Sequence, residues 1–346
     1  MDGSFAALRF PVATAPAPGE TVAIAPGVHW LRMPLPFALD HINLWLIEDG
    51  PGWTIVDTGY AMAETKALWE RAFAERLGGS PVTRIIVTHY HPDHIGLAQW
   101  LCERWQAPLW TTEKEWLHAR VMSRGGDDFA PARREFAHRA GMDAASSMLF
   151  AEHGRGYRRG VPSVPPSFRR IADGMRIEIG GRDWQVIVGE GHAPELACLY
   201  CAEAGVLIAG DQVLPRISPN ISVQAHEPDG DPLARYLDSL AKLRAAVPPE
   251  TLVLPSHNLP FFGLHARIDA LAAHHRARCE EILAACATPQ SAVDLLSLLF
   301  RRPLDRHQVA FALGEALAHL HYLLAQGALD RAQGSDGVNR FIRAAG

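Results

Sequence analysis

The stretch from Thr88 to Gly96, THYHPDHIG, constrains what this chain can fold into more than any other. An apolar run from Thr83 to Val87 precedes it and a helix-like segment from about His94 to Trp105 follows, which puts it at a strand-to-helix turn. Residues two apart in an extended segment project to the same side, so His89 and His91 can face one point. Asp93 falls at the expected helix cap and His94 in the first turn, while Pro92 is tolerated because a turn needs no ladder N–H from it. One ion can take the first pair and a second ion the next. Imidazole and carboxylate donors in this arrangement suit zinc, iron or manganese better than calcium or magnesium.

The rest of the chain supplies further donors at strand ends. Strand signals at Thr21 to Ala25, Val28 to Met33, Ile42 to Ile47 and Trp53 to Val56 form a β-meander that ends at Asp57-Thr58-Gly59. A helical pattern from Ala61 to Leu77, stopped by Gly78-Gly79, returns the chain to the strand before the turn, and strand–helix–strand order implies α/β layering. Pro108 to Trp110 reads as a short strand, and Thr112 with Glu115 as a capping box for a helix over Trp116 to Met122. Later strands at Met175 to Ile179, Trp184 to Val188, Leu199 to Cys201, Val206 to Ala209 and Thr251 to Leu254 lead to His192, Asp211 and His257. A lone His or Asp at a strand end is more often structural than catalytic. Five such ends, at Asp57, His89, His192, Asp211 and His257, in company with the turn, are poorly explained by coincidence.

With 346 residues, 48% of them hydrophobic, the chain can bury a full core and suggests one large domain and a small one. A formal charge of −5 offers no global attraction to nucleic acid. Five scattered cysteines fit a reducing compartment, and the Cys198-x-x-Cys201 pair has no second pair to complete a metal site. The N-terminus lacks a secretory pattern and no apolar run reaches a membrane span, so the expectation is a cytoplasmic protein. Residues 112–170 read as a helical insertion ending in a Gly- and Pro-rich run with Arg155, Arg158, Arg159, Arg169 and Arg170. That run is either a lid offering cations to an anionic substrate or a solvated loop.

HxHxDH followed by an isolated His, an Asp and a final His resembles the metallo-β-lactamase superfamily, over residues from about 20 to 260. The resemblance implies an α/β fold, an αββα sandwich with a metal site along one edge, in a catalytic domain of residues 1–262. It implies two divalent ions, zinc first, with iron or manganese as alternatives. His89, His91 and His192 would hold one ion, Asp93, His94 and His257 the other, and Asp211 would bridge them. Asp57 resembles the buried carboxylate that orients the cluster. Asp at position 211, where the best-known lactamases carry Cys, resembles the glyoxalase II, lactonase and ribonuclease Z branches, and His91 separates the chain from redox diiron members with Glu there. Glu195-Leu196 after GHAP departs from relatives that place Gly or Glu and then His. Residues 263–346 resemble the winged-helix domain of lactamase-β-like hydrolases, with helices over Leu264 to Cys286, Ser291 to Phe300 and Asp305 to Gln326 and a wing hairpin around Gly334 to Gly337. The helices carry no basic recognition surface, which favours a structural cap or substrate wall over DNA binding.

The implied chemistry is hydrolysis by a metal-bridging hydroxide, with Asp93 also orienting it or carrying a proton. Tyr90, Arg216 and Asn220 are candidate substrate contacts. A thioester, or another activated acyl ester such as a lactone, is the expected substrate. A phosphodiesterase acting on RNA and a mononuclear iron sulfur dioxygenase are the competing readings. The expected partner is a small molecule, with nucleic acid disfavoured, no membrane, and a homo-oligomer left open.

Overall fold

A computed structural model of the chain describes residues 8–124, 129–153, 156–300 and 303–345. It divides into two compact units, one of Met1–Arg124, Tyr157–Pro219 and Leu240–Ile268, the other of Gly125–Gly156, Asn220–Ser239 and Asp269–Gly346. Arg155 lies outside the described residues.

Among the described residues, the first unit holds two sheets. The seven-stranded sheet runs in chain order: β1 (Thr21–Ala25), β2 (Val28–Pro34), β3 (His41–Asp49), β4 (Gly52–Val56), β5 (Val82–Ile86), β6 (Leu109–Thr111) and β7 (Arg169–Arg170). The first four strands form the expected antiparallel meander, and β4 through β7 pair in parallel. The second sheet contains β8 (Arg176–Ile179), β9 (Arg182–Gly189), β10 (Leu196–Cys201), β11 (Val206–Gly210) and β12 (Leu252–Pro255), in the spatial order β12-β11-β10-β9-β8. Its β11–β12 pair is parallel.

Period-two alternation assigns each face. Leu31, Leu44, Leu46 and Ile55 point to one side of the first sheet and pack with Trp69 of α1 (Ala63–Ala72) and, beyond α2 (Pro92–Ile95), with Leu101 of α3 (Ala98–Trp105). Their neighbours Trp30, Trp45 and Val56 point to the other side and meet Trp184, Val186, Leu199 and Ile208 of the second sheet. Two apolar layers thus sit on either side of one sheet, the arrangement of an αββα sandwich. A single π-helical turn, Phe73–Leu77, extends α1 to the Gly78 stop, whose φ of +56 is the left-handed conformation that favours glycine. The unit is completed by α4 (Glu113–Ser123) and, further on, the short helix at Tyr157–Gly160.

Two local expectations need correction. The helix expected from His94 to Trp105 is two helices, α2 and α3, with Pro92 as the first residue of α2, His91 as its N-cap and Asp93 inside its first turn. The break follows from crowding at Gly96 and from Thr58, whose Oγ1 accepts the Leu97 N–H at 3.1 Å and donates to His94 O at 2.7 Å. The Thr112–Glu115 capping box is also absent: Thr112 is the N-cap of α4 without a side-chain cap bond.

In the second unit, α5 (Ala130–Arg139) and α6 (Ala144–His153) form a helical pair, preceding α7, the Tyr157–Gly160 helix of the first unit. The helices α8 (Pro232–Ala246) and α9 (Leu264–Ala285) have residues in both units. Farther along are α10 (Leu296–Leu299), α11 (Arg306–Ala325) and the hairpin of β13 (Leu329–Gln333) and β14 (Asn339–Arg343). The helix expected over Ser291 to Phe300 contracts to α10, because Asp294 Oδ2 accepts from Ser291 N and Oγ and makes the preceding residues a turn. No helix among the described residues is long and apolar enough to cross a membrane.

Candidate metal centre

The carboxyl ends of strands from both sheets converge on one place. Past β4 the chain turns at Asp57, whose φ of +63 is the left-handed conformation that short polar side chains tolerate. This aims a fully buried carboxylate along the strand ends. Its Oδ1 accepts the Thr88 backbone N–H at 2.8 Å, and its Oδ2 accepts from Thr88 Oγ1 at 2.9 Å and from His94 Nδ1 at 2.8 Å. A carboxylate can only accept, so His94 carries its proton on Nδ1 and turns the Nε2 lone pair toward the cluster. The same logic applies at the opposite side: His257 Nδ1 donates to the His41 carbonyl at 2.8 Å, which leaves its Nε2 facing Asp93 and Asp211.

The side chains assemble into two donor groups, each within 4.8 Å: His89, His91, His192 and Asp211 in one, Asp93, His94 and His257 in the other. Asp211 lies between them, with Oδ2 3.4 Å from His192 Nε2 and Oδ1 3.5 Å from His257 Nε2 and 3.6 Å from His94 Nε2. Asp93 Oδ2 is 3.4 Å from His257 Nε2 and 3.6 Å from His94 Nε2. These gaps are long for hydrogen bonds, and among the described residues the buried His94 Nε2 and Asp211 Oδ1 have no hydrogen-bond partner. Lone pairs of imidazole and carboxylate facing one another without protons between them are what divalent cations satisfy.

Charge tells the same story. Burial alone would raise Asp211, yet His257 and His94 hold it well below the carboxylate range; burial is likewise overcome at Asp93, which falls to about 2 chiefly through His94 and His257. Conversely, burial would lower His257, but Asp211 and Asp93 push it up to about 10, and Asp57, Asp93 and Asp211 raise His94 in the same way. The carboxylates thus make this a pocket that favours positive charge, which bound cations would supply. His89 and His91 are depressed, His91 to about 3, by burial first and by the neighbouring histidines, which leaves them neutral and able to donate lone pairs. The residues present therefore fit a pair of divalent ions.

The candidate substrate contacts lie outside the two donor groups themselves. The Tyr90 ring packs between His91 and His118, with centroids 4.6 Å and 5.4 Å away. Arg216 lies over the Phe10 ring, 5.5 Å from its centroid. Asn220 belongs to the second unit, where it accepts from Ser222 Oγ at 2.6 Å and is hydrogen-bonded to Glu315. None of the three joins either donor group. In the arginine run, Arg169 stacks over Trp110 and Arg170 pairs with Glu113 at 3.0 Å.

Four residues of the surround escape a reading by motif. Thr88 Oγ1 touches Asp57, His89 Nδ1 and His94 Nδ1, within 3.2 Å of each. Asn43 Nδ2 donates to Pro255 O at 2.9 Å and Asn258 O at 2.8 Å, pinning the loop of His257, and His41 Nε2 accepts from Asn258 N at 2.8 Å. The signal for Asn43 was available, a lone amide in the apolar run HINLWLI. The fourth, Glu115, hid inside an apparent capping box.

Fold and site together define a metal-dependent hydrolase whose donors come from loops along one edge of a two-sheet sandwich. The chain belongs to the metallo-β-lactamase superfamily: residues 38–257 match that family, and residues 279–344 match the metallo-β-lactamase-like C-terminal domain. It is 48% identical to a β-lactamase domain protein of Burkholderia ambifaria, with a TM-score of 0.90 over 99% of this chain and 100% of that one. A metallo-β-lactamase family protein of Thermus thermophilus is 30% identical, with a TM-score of 0.78 over 93% of this chain and 100% of that one. Among curated proteins, the probable metallo-hydrolase YqjP of Bacillus subtilis (strain 168) is 25% identical over 307 residues, 86% of this chain and 92% of its own length.

Proposed function

We propose that the chain is a dinuclear hydrolase of a thioester or another activated acyl ester such as a lactone, with zinc as its metal. The observation that carries this reading is the pair of donor groups joined through Asp211, a hard carboxylate at the shared position. Two ions held there would supply Lewis acidity toward a carbonyl oxygen and bring an attacking water into its reactive range near neutral pH. The chain's own residues do the rest. Asp57 and the His41 carbonyl fix the tautomers of His94 and His257. Asp93 is the most exposed of the three carboxylates, at 18% against 9% for Asp211 and 1% for Asp57. That exposure suits it to accept a proton from the attacking water and return it to the leaving group.

The RNA reading loses support because Arg169 and Arg170 are already engaged, and the sulfur dioxygenase reading because it uses one donor group where the chain has two. Elemental analysis paired with a panel of thioesters, lactones and a bis-phosphodiester tests the proposal. We expect two zinc-like ions per chain and acyl hydrolysis, both lost in H91A and D211N while circular dichroism stays that of the parent. One iron per chain with oxygen uptake, phosphodiester cleavage alone, or unchanged turnover in either variant would refute it.

A further inference from the structure

Glu115 occupies an unusual position for a helix residue that has no ion-pair partner among the described residues. It sits in the first turn of α4 and is fully buried. Its two oxygens are divided between the two loops that carry the first donor group. Oε2 accepts the Tyr90 N–H at 2.8 Å, in the peptide stretch between His89 and His91, and Oε1 accepts the Glu195 N–H at 2.6 Å, three residues after His192. Three neighbouring contacts tighten the same joint. Tyr157 Oη donates to Tyr90 O at 2.5 Å, so both backbone groups of Tyr90 are held; Thr112 Oγ1 donates to Glu195 O at 2.9 Å; the Lys114 N–H donates to Glu195 Oε2 at 3.2 Å. The two N–H groups favour the ionised carboxylate against burial, which pushes Glu115 up to about 8.

We infer that Glu115 is a positioning residue: one carboxylate bridging the backbones of the His89–His91 turn and the His192 loop sets the spacing of the three imidazoles they carry. It touches neither substrate nor ion and acts through those loops. Backbone N–H groups have no rotamers, so a carboxylate that holds two of them fixes the loops more stiffly than a side-chain pair would.

The inference rests on the proposed ligand set, and its test separates the two. In E115Q the amide offers one acceptor and one donor, so either Tyr90 N–H or Glu195 N–H faces an NH₂ group and its loop shifts. Metal-stripped parent and E115Q are titrated with Zn²⁺ against a chromophoric chelator, alongside metal-free melting curves and the visible spectrum of the cobalt-substituted proteins. We expect folded E115Q with affinity weakened about ten-fold or more and an altered cobalt spectrum. Parental affinity and spectrum, even with a lower melting temperature, would show a purely structural glutamate and overturn the inference. Should E115Q not fold, E115D, which keeps the carboxyl group but withdraws the oxygens by one methylene, is titrated in its place, and parental affinity there overturns it equally. A parent that binds no zinc refutes the ligand set instead.

Discussion

Replacing Asp57 by Asn changes one atom and separates orientation from ligation. Asn tolerates the φ of +63 at this position, so the backbone has no reason to move. Asp57 accepts at both oxygens, from Thr88 N–H at 2.8 Å and from His94 Nδ1 at 2.8 Å. An amide has a single acceptor, and the Thr88 N–H cannot do anything but donate, so the amide oxygen goes to Thr88 and the NH₂ to His94. His94 Nδ1 then becomes the acceptor and its proton moves to Nε2, the atom 3.6 Å from both Asp93 and Asp211. The lone pair on which the second ion depends is gone. Trading charge-assisted bonds for neutral ones costs about 1–2 kcal/mol of stability. That lowers the melting temperature by roughly 2–8 °C for a domain of this size. Loss of an orienting partner weakens metal binding by about 10–100-fold, or about 1.4–2.7 kcal/mol. Calorimetric titration of metal-stripped D57N with Zn²⁺ should show one step near parental affinity and one weakened by that factor. Two steps at parental affinity would refute the tautomer argument.

Two further outcomes follow from packing and burial. A Cβ on Gly96 would lie 2.5 Å from Gly160 O and 2.6 Å from Gly59 O, with Pro92 O closer still, and three backbone carbonyls cannot rotate away. G96A should therefore cost about 3 kcal/mol or more in urea unfolding, and a loss under about 1 kcal/mol would show that the segments slide freely. In the second unit, burial first and then the His319, His274 and Arg278 charges hold His275 at about 3; burial first, with the His274 and Arg278 charges, holds His319 at about 4, while burial raises Glu315 to about 7 against Arg278 and Asn220. Unfolded histidines take up protons below about 6.5 that the folded pair refuses, so stability falls as pH drops; Glu315 holds a proton down to about 4.5 that the unfolded chain has released, and so offsets part of that loss. E315Q should thus steepen the fall of the urea midpoint between pH 6.5 and pH 4.5 relative to the parent. A shallower fall would reverse the assignment.

How much could be read from sequence depended on whether a residue's partner lay nearby in the chain. The THYHPDHIG turn, the meander before Asp57 and the donors at His192, Asp211 and His257 were legible, because strand alternation and Gly/Pro punctuation are local signals. The helix break at Gly96 was not, since its cause is Thr58, on another segment. Glu115 shows the limit most clearly. Ser/Thr followed three residues later by Glu is a good sign of a helix start, and a helix does start there. Yet both side chains turn away from the helix they begin, toward backbone groups about 25 and 80 residues distant, which no local pattern encodes. Arg216 and Asn220, chosen because they follow Asp211 in the chain, lie over Phe10 and beside Ser222 respectively.

The first donor group takes His89 and His91 from the end of β5 and His192 and Asp211 from the ends of β9 and β11. The second likewise draws Asp93 and His94 from α2, which follows β5, and His257 from the loop after β12 of the other sheet. Each ion would therefore be gripped across the seam of the sandwich, and the apolar layer that holds Trp30, Trp45 and Trp184 packs that seam from within. The centre behaves as a gauge of inter-sheet alignment. A substitution deep in that aromatic layer, far from any donor, would be read first as faster metal escape and only later as unfolding.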